Sequence, residues 1–191
     1  MHKIMAELHK DHIHFEKVFK ILDQQVELLT TDGHPDYYLM ADITNYIQQY
    51  PDLVHHPKED KVYDVFTQRS NEAADIVEQL QQDHQKLPSK TIELHKLFEA
   101  AANSVVLISR EEIKKEAQDF LEMQKKHLNL EETILFPLII KTLTEDDWKS
   151  LESSIAMEIS DKVDPLFGAT IAECCENLYQ SIKKQGDVDS K

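Results

Sequence analysis

Apolar residues along the first segment recur at steps of three and four: Ile4, Leu8, Phe15, Phe19, Leu22, Val26 and Leu29. Such a seam is the inward stripe of a bundle helix. Its one gap, between Leu8 and Phe15, is filled in phase by His12. Residues 30–36 (Thr-Thr-Asp-Gly-His-Pro-Asp) are turn formers and predict a loop. A second helical stretch is expected from about Tyr37 to Phe66, interrupted at Pro51 and Pro57. A third runs from about Asn71 to Ile108, with a candidate kink at Pro88; its seam is Val77, Leu80, Leu87, Leu94, Phe98, Ala101 and Val105, and its in-phase gap holds His84. A fourth, from about Arg110 to Thr142, carries Ile113, Ala117, Phe120, His127, Glu131, Ile134 and Leu138 on one face, with a bend expected at Pro137. Thr144 with the acidic residues 145–147 predicts an N-cap for a shorter helix carrying Trp148, Leu151, Ile155 and Ile159. Asp164-Pro165 marks a break before a last helix over about 166–184.

Four long helices with short connections predict an all-α, antiparallel up-down-up-down four-helix bundle over residues 1–142. Helical residues 143–185 would pack on it as an extension, and 186–191 would form a tail. Composition narrows the classes. The chain has 191 residues, 21 basic against 36 acidic, for a net charge of −15, which argues against binding nucleic acid. No apolar run approaches the roughly 20 residues of a membrane span. The N-terminal residues show no apolar signal segment, so a cytoplasmic location is expected. Two cysteines, the adjacent Cys174 and Cys175, exclude a disulfide scaffold and read as free thiols. Three glycines leave no Gly-rich phosphate loop, and ten histidines become the main question.

The histidines follow an internal repeat with one offset of 72 residues. Leu8 falls on Leu80, Asp11 on Asp83, His12 on His84, His55 on His127, Glu59 on Glu131, Asp60 on Glu132, Val62 on Ile134 and Phe66 on Leu138. The bundle should therefore have approximate two-fold symmetry. Residues four apart share a helix face, so His55/Glu59 and His127/Glu131 each set an imidazole beside a carboxylate, facing inward. A buried glutamate is costly unless it is paired or bound to a cation. Imidazole plus carboxylate without thiolate suits iron, manganese or zinc. Six such residues are too many for one tetrahedral ion and fit two ions bridged by carboxylates.

The set Asp-His, His-His-Pro-Lys-Glu-Asp, Asp-His and His-x-x-x-Glu-Glu on four helices resembles the hemerythrin-like HHE cation-binding domain, over roughly residues 1–142. The resemblance implies a non-haem di-iron centre with an open position for dioxygen, nitric oxide or peroxide. Carried over, the ligands are His12, His55, Glu59, His84, His127 and Glu131. Two departures matter. Hemerythrin proper carries a second histidine on its third helix, where this chain has Leu80. Its fourth-helix acid is an aspartate at a spacing of five, where this chain has Glu131 at four. His56 is a candidate replacement ligand. An ideal helix would aim it off the seam, but a kink at Pro57 can re-aim it.

His9 reads as surface or as an outer partner of His12, and His95 as too far along its helix to join the same cluster. His2, His14 and His34 read as surface or loop, and Trp148 as core. Asp11 and Asp83 are either orienting groups or solvated neighbours. Function stays open between an oxidant-binding protein, a peroxidase-like di-iron oxidoreductase, and a metal-dependent sensor or iron-handling module. Nitric-oxide and iron-repair members of the family carry an additional cysteine-containing N-terminal segment, so that role is less favoured. A protein partner is unknown.

Overall fold

The computed structural model describes residues 1–31, 33–103, 108–158, 178 and 180–183. Four helical columns follow one another. The first is α1 (Lys3–Thr30). The second is α2 (Tyr37–Gln49), a π-helical turn (Pro51–His55) and α3 (His56–Arg69). The third is α4 (Ala74–Ala102), which continues through Pro88. The fourth is α5 (Arg110–Leu130), a second π-helical turn (Glu131–Leu135) and α6 (Phe136–Thr142). A shorter helix, α7 (Glu145–Glu158), follows. Among the described residues no helix is long and apolar enough to cross a membrane. The expected turn at 164–168, most of the last helix, Cys174, Cys175 and the tail lie outside the described residues.

The first column pairs with the fourth, and the second with the third, in opposite chain directions. His12 near the start of the first meets Glu132 near the end of the fourth, while Arg110 at the start of α5 donates to the carbonyls of Leu28, Thr31 and Gly33 at the other end of α1. Thr44 meets His95, and Asp60 meets His84, between the second and third columns. The predicted seams fill the interior: Leu8, Leu22, Leu80, Leu87, Phe98 and Ala117 have no exposed surface. Burial on this scale, at about 25 cal/mol per Å² of apolar surface, is the main drive for the bundle.

Pro57 and Pro137 act in the same way. A proline ring clashes with the carbonyl four residues earlier and offers no N–H. Immediately before Pro57 the His56 N–H bonds the Pro51 carbonyl, and before Pro137 the Phe136 N–H bonds the Glu131 carbonyl, each five residues back. The wide turn absorbs the clash, and each helix resumes with proline as its second residue. The second turn also shifts the seam by one residue. Ile134, expected to face inward, is 38% exposed, and Leu135 and Ile139 are buried in place of Ile134 and Leu138.

The N-cap at Thr144 forms as a reciprocal pair with Asp147. The Thr144 amide and hydroxyl donate to the Asp147 carboxylate, and the Asp147 amide donates to the hydroxyl. The same carboxylate accepts from Arg69 of α3, with Nη2 at 2.7 Å, tying α7 to the bundle. Trp148 is core as expected. His2, expected at the surface, is half-buried and stacks on Trp148 with ring centroids 4.6 Å apart. The Arg69 guanidinium and the Thr144 donors hold the Asp147 carboxyl well below the usual carboxylate range. A depressed folded value gives stability that is full above the unfolded value and is lost as pH falls below about 4. Asp147→Asn should therefore lower the thermal midpoint at pH 7, with the gap to the unchanged protein closing below about pH 4. Thermal melts followed by circular dichroism across that range check both parts.

Candidate metal centre

Five histidines from the four columns converge on two glutamates at mid-height. Two compact groups form, each with ligand atoms all within 4.8 Å of one another: His12, His55 and Glu59, and His56, Glu59, His84 and His127. Glu59 belongs to both. Glu131 borders both, with Oε2 3.5 Å from His12 Nε2 and Oε1 3.2 Å from His127 Nε2. Glu59 and Glu131 are fully buried. All six residues expected from the repeat are thus brought together. The spacing His55 to Glu59 survives the π-turn, with Nε2 and Oε1 3.2 Å apart, because the turn ends at His55 and α3 is regular beyond it. The turn also re-aims His56 inward, where it is buried and stacks on His84 at 4.5 Å.

A ring of outer carboxylates holds the imidazoles. His12 Nδ1 lies 2.7 Å from Glu132, and His84 Nδ1 lies 2.7 Å from Asp60. His55 Nδ1 lies 3.0 Å from Asp11, which also accepts from the Tyr50 hydroxyl. His127 Nδ1 faces Asp83 at 3.7 Å, and His56 Nδ1 faces Asp52 at 3.5 Å. Asp11 is therefore an orienting group, whereas Asp83 faces His127 beyond hydrogen-bond distance. Asp60 and Glu132, aligned in the repeat but given no role there, orient His84 and His12. Ionised carboxylates only accept, so each well-bonded Nδ1 carries the hydrogen and Nε2 presents a lone pair to the interior. Yet His12 Nε2 and His55 Nε2 stand 3.0 Å apart, and His84 Nε2 and His127 Nε2 stand 3.1 Å apart. At His12 and His55, whose Nδ1 atoms are both bonded, two lone pairs at that distance repel unless a cation or a proton joins them.

The carboxylates make the same demand. Among the described residues, no donor hydrogen-bonds either oxygen of Glu59 or Oε2 of Glu131. The polarity of the pocket shows in its titration. Burial alone would keep His12 neutral, but Glu132, Glu59 and Glu131 outweigh it and raise its pKa to about 10. Burial is likewise outweighed at His84, by Asp60, Glu131 and Glu59, which raise it to about 10. At His127, Glu131 and Asp83 overcome burial and raise it to about 9. His56 goes the other way, to about 4, because burial is reinforced by its neighbours His84 and His127. Without metal, protons supply the positive charge the two glutamates require. With metal, the donor set is imidazole and carboxylate only, which fits iron, zinc or manganese.

The repeat is imperfect where chemistry differs. One group has three histidines and the other two, because His56 corresponds to Leu128. Leu80, in place of a third-helix histidine, is buried core. Tyr63 and Phe136 stack on His84 and His12 respectively, at 5.8 Å and 5.2 Å, but only Tyr63 carries a hydroxyl, which donates to Glu131. Sequence reasoning missed Tyr63; its signal was a position one turn beyond Glu59 on the same face. His95 stands apart from the centre and bonds Thr44 and the Ala41 carbonyl, linking α4 to α2.

The model of the hemerythrin HHE cation-binding domain matches residues 3–139. Comparisons with curated proteins and with solved structures return no match. A cation that binds the folded centre and not the unfolded chain adds stability, about 4 kcal/mol at a thousandfold excess over Kd. Stripping metal with a chelator should therefore lower the melting midpoint by on the order of 10 °C, and re-addition of a divalent cation should restore it. Calorimetric midpoints that coincide with and without metal would mean that the folded centre engages none.

Proposed function

The chain belongs to the hemerythrin HHE cation-binding family, and from that premise we propose that it is a non-haem di-iron protein that binds a small oxidant, such as dioxygen, nitric oxide or peroxide, at the buried His/Glu centre. The observation that carries this reading is the pair of compact ligand groups sharing Glu59. In it, His56, His84 and His127 would hold one ion and His12 and His55 the other, with Glu59 and Glu131 within reach of both. Two ferrous ions would supply reducing electrons and an open coordination position for the oxidant.

The chain's own residues do the rest. Asp11, Asp60 and Glu132 fix the tautomers of His55, His84 and His12 and aim their Nε2 atoms inward. Phe15 and Phe136 pack on His55 and His12 and exclude water, which limits loss of the oxidant and of protons to solvent. The His12/His55 side offers fewer protein donors and would leave more room for the oxidant there. Zinc or manganese suits the same donors as a substitute. A second reading, a peroxidase-like oxidoreductase, draws on Tyr63, whose buried hydroxyl is a proton donor against Glu131.

Anaerobic ferrous loading followed by oxygen titration tests the first reading. About two irons per chain are expected, with near-ultraviolet absorption appearing on oxygenation. Fewer than about one iron per chain would overturn it. Glu59→Ala should lose both ions, whereas His56→Leu should leave about one, as read by elemental analysis. Steady reduction of hydrogen peroxide that is lost in Tyr63→Phe, with iron content retained, would select the enzyme reading.

A further inference from the structure

We propose that His9 and Glu132 form an outer capture site for the divalent cations that fill the buried centre. The inference rests on the two-ion reading above and adds the route by which the ions arrive. The inner ligands are closed to water: His12, His55 and His127 are at most 2% exposed, and Glu59 and Glu131 are not exposed at all. A hydrated ion needs a first contact outside them. The His9 side chain is 48% exposed and that of Glu132 is 30% exposed.

The geometry joins outside to inside. His9 Nδ1 lies 2.9 Å and 3.0 Å from the two oxygens of Glu132. About 3 Å is the separation of neighbouring donors that each bind one ion at about 2.1 Å. The Glu132 oxygen nearer the core also lies 2.7 Å from His12 Nδ1. One carboxylate thus touches an imidazole open to solvent and another whose far nitrogen faces the centre. Glu132 also lines a groove of about 470 Å³ between α1 and α5, along which Glu16 and Asp23 stand, with Asp23 paired to Lys125.

The device is one-sided. In the repeat, His9 corresponds to Gln81, whose amide reaches Asp64 and not Asp60, the counterpart of Glu132. The capture pair therefore serves the side with two histidines.

Stopped-flow uptake of cobalt(II) by the chelator-stripped full chain, followed by its visible absorption, tests this. His9→Ala and His9→Gln should each slow uptake about tenfold with the final number of ions per chain unchanged. His34→Ala, which removes an exposed loop histidine, should keep the original rate. Unchanged rates in both His9 variants would overturn the proposal, as would a reduced final ion count, which would make His9 part of the centre itself. Failure of the unaltered protein to take up any cobalt would instead overturn the two-ion reading.

Discussion

Glu59 and Glu131 hold two carboxylates at the middle of the bundle with no exposed surface. An ionised carboxylate in a low-dielectric interior is tolerated only beside compensating positive charge. Every polar feature around them answers that requirement. Five imidazoles aim their Nε2 atoms at the pair, and an outer set of carboxylates fixes the imidazoles from behind. Alternating layers of opposite charge let a core containing so many ionisable groups coexist with close apolar packing above and below. The same arrangement makes occupancy by metal and folding stability two views of one equilibrium.

The two-fold repeat explains why the layers close on themselves, and its breaks explain how the two sides come to differ. Glu132 serves His12 as Asp60 serves His84, and Asp11 bonds His55 where Asp83 only faces His127, at 3.7 Å. Equivalent residues take equivalent places wherever the offset is kept. The exceptions lie on the face bearing His56 and Tyr63, which fall on Leu128 and Leu135 in the repeat. A duplicated scaffold with unequal fillings yields two neighbouring pockets of unequal donor number, which is what a small exogenous ligand needs in order to prefer one of them.

Most of the fold could be read from the seams because helical periodicity is a local property: a stripe at steps of three and four buries itself whatever partner it finds. The loop at 30–36, the columns beginning near Tyr37 and Arg110, and the cap at Thr144 follow from turn and capping chemistry that is equally local. The reading failed at Ile134 and at His2. Ile134 turned outward because the π-turn before Pro137 adds a residue to the helical phase, and a proline signals a disruption without stating which backbone solution absorbs it. His2 is half-buried because α7, distant in sequence, brings Trp148 against it.

The sequence by itself determined the helices, the repeat and the six residues at its matched positions, since these depend on spacing within single segments. The tertiary structure decided what depends on contacts between segments. It gave His56 an inward direction and a place with His84 and His127, set Tyr63 against Glu131, and divided the outer carboxylates among the imidazoles. It also paired the exposed His9 with Glu132, 123 positions away. Side chains that meet across a bundle are fixed by helix rotation and by local departures such as the two π-turns, and one residue of phase rotates everything beyond it by about 100°.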